Sequence, residues 1–321
     1  MKRAQIFVSQ LPGIPDPLPV AAALRAGATG FLDGCFLADR EVISCLQRIA
    51  RLTDRPVGLK IPAPRLPLVE HLPEQGIPCP ELLVLSGPFS EGLAGEISRL
   101  KGKIGRLFLE CLDLDEVRLA GQCHADGIIA RGNEAAGPVA GESSFILLQR
   151  FLAATPLPVY VQGGIGPHTA AASMTAGAAG VVLDCQCALA RESSLSGRRR
   201  KVLASFDGTQ TRCLEIPGGR GVRIASRINR EAVQALVRDL EQLTGGGDDT
   251  NRRQAMAMAR LAEAVSTGDG SRRVWLLGQD IGLAAGLAER FVSVGGIVAA
   301  ICDHVNRLPT LLSAGDILRG D

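Results

Sequence analysis

A glycine-rich turn around residue 164 has the composition of a phosphate-binding loop. An apolar segment ends at Gln162, a Gly-Gly-Ile-Gly stretch follows, and Pro167 opens a helical pattern. Glycine lets the backbone approach a ligand closely, and the free N–H groups at a helix N-terminus attract anions. The same residues also build ordinary tight turns. We therefore interpret Gln162, Gly163 and Gly164 as candidate phosphate ligands that act mainly through the backbone.

A second polar stretch follows another apolar segment earlier in the chain. Gly132 and Gly137 enclose an Asn133-Glu134 pair, and Pro138 comes next. Glu134 is the titratable side chain of this stretch, so it is a candidate general acid or base. The two glycines are candidates for lining a bound cofactor. A capped surface loop is the alternative interpretation.

Three further polar residues stand close to the ends of apolar segments. Lys60 is either a positive charge offered to a ligand or an ordinary surface lysine. Gln279, in a Gly-Gln-Asp triplet, offers an amide that can hydrogen-bond a ring edge or a substrate. His168 lies beside the glycine turn, where it contacts the phosphate, serves as a catalytic acid, or only caps the helix.

The nine cysteines do not form a metal-binding pattern. Cys185 and Cys187 are the one close pair, and this pair lacks a second pair or a histidine at zinc spacing. Other cysteines, such as Cys111, lie in apolar stretches and are typical of small buried side chains. The sequence therefore predicts no metal site.

Most of these candidates follow short apolar segments that alternate with helical patterns. Most of the segments are continuously apolar, as strands covered on both faces are, and the alternation is typical of βαβ units in a parallel sheet. The predicted strands are Gln5–Val8, Thr29–Asp33, Val57–Ile61, Leu82–Leu85, Leu107–Cys111, Gly127–Ala130, Val159–Gln162 and Gly180–Leu183. Eight such units close into a (β/α)8 TIM barrel, whose ligands bind at the carboxyl ends of the strands.

After the eighth strand the pattern changes and predicts a helical insertion. Residues 191–275 are polar, interrupted by glycine, and contain two helical stretches, Arg230–Leu243 and Asn251–Ser266. This is too long for a plain loop, so we expect it to pack on one end of the barrel without forming an independent domain. Residues 1–190 then hold the barrel strands with the first seven helices, and residues 276–321 hold the closing helix, Ile281–Val305, and a tail after Pro309.

The composition limits the classes of function. The chain has 321 residues, a formal net charge of +2 and 3% aromatic residues, so its core must be largely aliphatic. A charge near zero gives no electrostatic basis for binding nucleic acid or an anionic membrane. No apolar stretch reaches membrane-spanning length, and four prolines between residues 12 and 19 interrupt any signal helix. We expect a soluble cytoplasmic protein.

Together these motifs resemble the nitronate monooxygenase/2-nitropropane dioxygenase family. Four of the family's characteristic motifs occur here in the family's order, at residues 132–137, 162–165, 177–181 and 278–279. The sequence is closer still to nitronate monooxygenase-like domains at the front of polyketide and polyunsaturated fatty acid synthase chains, which it resembles at Val181–Asp184 and Leu189–Ser193. The resemblance covers most of the chain and implies an FMN-binding barrel with a helical insertion after the eighth strand.

The resemblance also implies roles for individual residues. Gly163 and Gly164 would bind the FMN phosphate through their backbone N–H groups. Gly132 and Gly137 would line the cofactor, and Gln279 would face the flavin or the substrate. Each of these positions matches the family's motif in residue type as well as in order along the chain.

Three positions depart from the family's pattern. Lys60 stands where the family often has a flavin-contacting asparagine, and a cation there would stabilise anionic reduced flavin. The family's catalytic histidine aligns with Pro138, which cannot take a proton, so we expect negligible activity on nitronates. The usual Gly-Thr or Gly-Ser after the eighth strand aligns with Asp184 and Cys185, and a carboxylate there would repel a phosphate.

The sequence is compatible with two functions. One is an FMN-dependent oxidoreductase of polyketide or fatty-acid assembly, for example an enoyl-thioester reductase. Its substrate would be acyl or another small molecule, either free or bound to a carrier protein. The other is a degenerate barrel that serves as a structural or docking domain beside partner domains of a synthase. The glycine turns and Gln279 favour the first function, whereas Pro138 and Asp184 favour the second.

Overall fold

The computed structural model describes residues 5–90, 92–100, 102–244, 249–266 and 273–307. Eight parallel strands close into a barrel because the first strand pairs with both the second and the last. These strands are β1 (Gln5–Val8), β2 (Thr29–Asp33), β3 (Gly58–Pro62), β4 (Leu82–Ser86), β5 (Arg106–Cys111), β6 (Gly127–Arg131), β8 (Val159–Gln162) and β9 (Gly180–Leu183). The eight predicted strands and the (β/α)8 barrel are confirmed.

The helices that follow the barrel strands cover the outer face of the sheet. The described residues form α1 (Pro17–Arg25), α2 (Asp39–Leu52), α3 (Leu66–His71), α4 (Leu93–Ser98), α5 (Leu114–Gln122), α6 (Ser144–Ala154), α7 (Pro167–Thr175), α8 (Gly197–Ala204), α9 (Arg230–Thr244), α10 (Thr250–Ser266), α11 (Ile281–Phe291) and α12 (Val294–Asn306). The core between strands and helices is aliphatic, as the composition predicts. Helices α3 and α4 are short, and the connections that contain them are rich in proline or glycine.

Side-chain alternation along each strand builds the interior of the barrel, because side chains two residues apart point to the same face of a sheet. One inward layer is apolar and aromatic: Phe7, Phe31, Val84, Phe108, Ile129, Tyr160 and Val182. Phe7 stacks on Tyr160 with ring centroids 4.4 Å apart. This layer fills the middle of the barrel. Two residues further along the strands, towards their carboxyl ends, the inward residues are polar.

The insertion contains strands as well as helices. Strands β10 (Thr211–Ile216) and β11 (Arg220–Ala225) form an antiparallel hairpin, and β11 also pairs with β7 (Gly137–Val139) in the loop after β6. Polar and apolar residues alternate in much of both strands, so the segment is polar on average although one face is buried. The turn holds Gly218 and Gly219, both with positive φ. The prediction of a purely helical insertion is therefore wrong here, whereas its two helices are confirmed as α9 and α10.

The predicted closing helix, Ile281–Val305, is broken into α11 and α12, which meet at an angle of 97°. The break falls at Val292, whose φ is 63°, and at Ser293, whose side chain accepts a hydrogen bond from Gly296 N. No single helix of the described residues is long and apolar enough to cross a membrane; α11 and α12 pass that test only as a bent pair. The tail that the sequence analysis places after Pro309 lies outside the described residues.

Candidate functional site

Seven polar residues occupy the inward positions at the carboxyl ends of the barrel strands. Each stands two residues beyond a residue of the middle of the barrel, so the strand geometry positions them all at one level. This polar layer consists of Asp33, Lys60, Ser86, Glu110, Arg131, Gln162 and Asp184, from β2, β3, β4, β5, β6, β8 and the residue after β9. The sequence analysis singled out three of its members, Lys60, Gln162 and Asp184.

Four charged side chains in this layer form a buried ion-pair network. Lys60 Nζ lies 2.6 Å from Glu110 Oε2 and 3.2 Å from Asp33 Oδ2, and Arg131 Nη1 lies 2.5 Å from the same Glu110 oxygen. None of the four side chains is more than 4% exposed. Charges buried this deeply are tolerated only when they are paired. Glu110 is the centre of the network because it bridges both cations.

The network holds Asp33 and Lys60 in their ionised forms. Burial alone would raise the pKa of Asp33, but Lys60 and Arg131 outweigh it and lower that pKa. Burial and Arg131 would lower the pKa of Lys60, yet Asp33 and Glu110 together raise it. Lys60 is therefore a protonated ammonium group and does not act as a nucleophile or base at neutral pH.

One nitrogen atom of the Arg131 guanidinium has no partner among the described residues. Its Nη2 donates to the carbonyl of Ala136, and its Nη1 reaches Glu110 and, at 3.4 Å, Gln162 Oε1. Among the residues that the structure describes, Nε of Arg131 has no hydrogen-bond partner, although the side chain is only 1% exposed. A buried donor without a hydrogen bond lowers the stability of the folded protein, so Nε of Arg131 is an unfavourable feature of this layer.

A cavity of about 210 Å³ opens above the network. Lys60, Asp33, Glu110 and Arg131 form its floor, and Cys35 and Ser86 lie on the same lining. The walls are mostly apolar: Phe36, Pro62, Leu112, Ile216, Met258 and Ala262. Because β10 and α10 supply the last three, the insertion covers the carboxyl end of the barrel. The site is thus an apolar pocket with a charge-balanced polar floor.

The predicted glycine turn lies outside this cavity. Gly163 and Gly164 have φ values of 114° and 66°, so the left-handed backbone that the motif predicts is present. A Cβ added at Gly163 would come within 3.3 Å of Glu134 Oε2. That carboxylate accepts a hydrogen bond from Ser144 N at 2.9 Å, and Ser144 Oγ donates to Gly163 O. Glu134 therefore holds the loop against the turn and does not line the cavity.

The end of the eighth barrel strand, β9, is filled by side chains of the chain itself. Asp184 accepts hydrogen bonds from Cys185 N and from Gln162 Nε2, the latter at 2.8 Å. Gln186 accepts from Asp184 N at 2.8 Å and donates to Asp280 Oδ2 at 2.9 Å. Asp184, Gln186 and Asp280 are at most 2% exposed. The backbone donors of residues 184 and 185 are thus already occupied, and two carboxyl groups lie beside them.

Asp280 is held as the neutral acid. Burial raises its pKa well above the ordinary value of 3.8, and the neighbouring Asp184 carboxylate raises it further. Its Oδ1 is buried and has no partner among the described residues, while Oδ2 accepts from Gln186. A protonated carboxyl beside a carboxylate is the arrangement that like charges in a dry site favour.

The remaining predicted site residues lie away from the cavity. His168 is exposed on α7 and its ring meets that of His304 edge-on, with centroids 4.7 Å apart. Gln279 is also exposed, and its backbone N–H donates to Glu134 O at 2.7 Å. Gly132 and Gly137 pack beside Glu134 and Arg131, respectively. Of the predicted cofactor residues, Lys60 is the one that lines the cavity.

Asp33, Glu110 and Arg131 were not recognised from the sequence. The two-residue periodicity of the strands identifies them. Each stands two positions after an inward apolar residue, Phe31, Phe108 or Ile129. The motifs recognised in the sequence lie mostly in the loops after the strands, whereas these three residues lie at the ends of the strands.

The resemblance implies FMN, and the residues at the end of the eighth strand do not fit its phosphate. A phosphate monoester carries roughly two negative charges and needs free donors. Here Asp184 and Gln186 take the backbone donors of residues 185 and 184, and the Glu134 carboxylate lies beside Gly163. The cavity above Lys60 does not include either of these positions.

Comparison with known proteins places this architecture among solved structures. No family model matches the sequence. The structure superposes on FabK from Thermotoga maritima with a TM-score of 0.76 at 19% identity, covering 97% of this chain and 96% of that one. Nitroalkane oxidase from Streptomyces ansochromogenes gives a TM-score of 0.68 at 20% identity, over 95% and 97% of the two chains.

Two further proteins are similar to this chain, one in structure and one in sequence. The enoyl reductase domain of MlnA, from the macrolactin biosynthesis cluster of Bacillus amyloliquefaciens, has a TM-score of 0.70 at 14% identity and covers 99% of this chain and 97% of that domain. In sequence, the chain is 27% identical over 202 residues to the Mycobacterium tuberculosis protein "(3aS,4S,5R,7aS)-5-hydroxy-7a-methyl-1-oxo-octahydro-1H-indene-4-carboxyl-CoA dehydrogenase", over 59% of this chain. The match spans 54% of that protein, about half of its length. The predicted resemblance is thus confirmed at the level of the fold: the chain is a (β/α)8 barrel of the architecture that FabK, nitroalkane oxidase and the MlnA enoyl reductase domain share.

Proposed function

We propose that this chain is an acyl-binding barrel of fatty-acid or polyketide assembly that carries out no flavin chemistry. One observation carries the proposal. At the end of the eighth barrel strand, the part of the phosphate site that the resemblance implies there is filled by Asp184, Gln186 and Asp280, whereas the cavity above Lys60 stays open. The acyl class of ligand is supported by the apolar cavity walls and by the names of two relatives, an enoyl reductase domain and a carboxyl-CoA dehydrogenase.

The size of the cavity supports a ligand smaller than FMN. Pockets for drug-sized ligands and cofactors usually measure about 300–1,000 Å³, and the cavity here measures about 210 Å³. A short acyl segment or another small organic molecule suits this space. Since Met258 and Ile216 of the insertion belong to its wall, we also propose that residues 191–275 are an insertion of the barrel and do not fold alone. Partner domains of a synthase would supply the acyl group.

The test is the flavin content of the purified chain and its affinity for added FMN. We expect no absorbance near 450 nm and no saturable quenching of FMN fluorescence, because like charge and occupied donors oppose the phosphate. The double variant Asp184→Gly/Asp280→Asn removes both carboxyl groups, and we expect its affinity for FMN to exceed that of the parent by about tenfold or more. Asp54→Gly, at an exposed position, is the matched control and should leave FMN binding unchanged.

An FMN-dependent enoyl reductase is the second candidate, favoured by the structural likeness to the MlnA enoyl reductase domain and to FabK. It predicts the opposite result in the same experiment. One FMN per purified chain, bound before any substitution at Asp184, would establish the flavoprotein and exclude the first proposal. Reduction of that flavin by NADH or NADPH in the presence of an enoyl thioester would then identify the reaction.

A further inference from the structure

We infer that His168 and His304 form a binding site for a transition-metal dication of the Zn²⁺ or Ni²⁺ class, in which each imidazole supplies one nitrogen ligand. The site lies between α7 and α12, in the layer of helices around the barrel, and is separate from the cavity above Lys60. It does not depend on the proposed function. The two histidines are far apart in the sequence, so no local motif predicts the site.

The spacing of the two rings suits ligation of one ion. Their centroids lie 4.7 Å apart and their planes meet at 84°. At a metal–nitrogen distance of about 2.0–2.1 Å, two imidazoles bound to a tetrahedral ion have centroids about 5 Å apart. The angle between the planes is no obstacle, because each ring can turn about its own metal–nitrogen bond. Rotation about χ2, a soft torsion in histidine, therefore aims one nitrogen of each ring at a common point.

The ring nitrogens of both residues are available. Among the residues that the structure describes, neither imidazole takes part in a hydrogen bond or an ion pair, and the two rings contact each other. In His71, by contrast, Nδ1 lies 2.7 Å from the Pro67 carbonyl oxygen. His168 is exposed and His304 is half-buried, so water can reach the pair and complete the coordination of an ion.

The packing of the two helices holds the pair in place. Helices α7 and α12 contact each other along the outside of the barrel. Ala170, two positions after His168, is buried in the aliphatic core, and so are Ile301 and Val305 on either side of His304. Ligands that are held in position before binding lose less conformational freedom when the metal binds. Only side-chain rotation therefore has to precede metal binding.

The ligand type determines the class of ion. Imidazole nitrogen suits Zn²⁺, Ni²⁺ and Cu²⁺, whereas Ca²⁺ and Mg²⁺ prefer oxygen ligands. The helix ends give no net attraction for cations in general. His304 lies in the last turn of α12, where positive charge is favoured, but His168 lies in the first turn of α7, where it is disfavoured. The affinity must therefore come from the two metal–nitrogen bonds.

Calorimetric titration of the full chain with nickel chloride or zinc chloride tests the site. At about pH 7.5, where free imidazole groups are mostly neutral, we expect saturable binding of one ion. His168→Gln and His304→Gln each remove one ligand and should weaken binding about tenfold or more. The matched control, His71→Gln on α3, should leave the affinity unchanged, and magnesium chloride should not bind.

Thiolates are the competing ligands, because Cys213 is exposed. Co²⁺ distinguishes them: thiolate ligation adds a strong near-ultraviolet charge-transfer band, which imidazole ligation lacks. We expect no such band, and Cys213→Ser should bind Ni²⁺ as tightly as the parent.

A bound ion should also stabilise the folded chain, because folding brings the two histidines together. At about a hundredfold excess over the dissociation constant, Ni²⁺ should raise the thermal midpoint by about 3 °C or more, and the rise should vanish in His168→Gln. Three results would overturn the inference: undiminished binding in both histidine variants, a thiolate band with Co²⁺, or no binding of Ni²⁺ and Zn²⁺ at concentrations up to about 1 mM.

Discussion

Replacing Glu110 with glutamine is expected to lower the free energy of unfolding by about 3–5 kcal/mol. The substitution keeps the shape of the side chain but removes the negative charge that bridges Lys60 and Arg131 at 2.6 and 2.5 Å. Within the network of four charges, two buried cations then face one carboxylate, Asp33, and a buried charge without its partner is strongly destabilising. Urea denaturation at pH 7, followed by circular dichroism, measures the change. Glu289→Gln, at an exposed position, should change it by less than about 0.5 kcal/mol.

A double-mutant cycle shows whether the charge is the cause. When Lys60→Met is added to Glu110→Gln, Arg131 is left opposite Asp33 and the number of buried charges is even again. The double variant should therefore be more stable than the sum of the two single changes by about 1–3 kcal/mol. Additive losses would mean that packing, and not charge pairing, explains the effect of Glu110. An unchanged midpoint for Glu110→Gln alone would contradict the buried network itself.

The barrel could be predicted from the sequence because its strands are buried on both faces. Continuous apolar segments such as Leu82–Ser86 and Gly180–Leu183 carry their own signal, and the alternation with helices fixes the class of fold. The hairpin of β10 and β11 carries a weaker signal, because β10 is partly exposed and its charged residues, such as Arg212 and Glu215, dilute the apolar pattern.

The site was less predictable than the fold because its contacts join distant parts of the chain. The local motif correctly predicted the positive φ of Gly163 and Gly164. It could not predict that the Glu134 side chain lies against both glycines, nor that Gln186 hydrogen-bonds Asp280, which is far away in the sequence. Lys60 was recognised as a candidate, but its role depends on Glu110 and Asp33, which are brought to it by neighbouring strands.

Asp280→Asn is expected to stabilise the protein increasingly as the pH rises. The pKa of Asp280 in the folded chain is raised well above 3.8 by burial and by Asp184. Above pH 4 the unfolded chain releases this proton while the folded chain keeps it, so the folded state binds more protons than the unfolded state. The stability of the parent then falls as the pH rises towards the folded pKa, by at most about 1.4 kcal/mol per pH unit from this group.

Asparagine resembles the protonated acid in shape and charge and does not titrate. The stability of the variant therefore does not fall with rising pH on account of this residue. The difference in unfolding free energy between Asp280→Asn and the parent should be small near pH 3 and grow steadily between pH 4 and 7. Glu116, whose pKa burial raises to about 7, titrates in the same sense, but it is present in both proteins and its effect cancels in the difference.

Asp54→Asn, at an exposed position, is the control and should give a difference that does not vary with pH. A constant difference for Asp280→Asn as well would mean that Asp280 is ionised in the folded protein, and a buried pair of carboxylates would then require a bound cation to hold it.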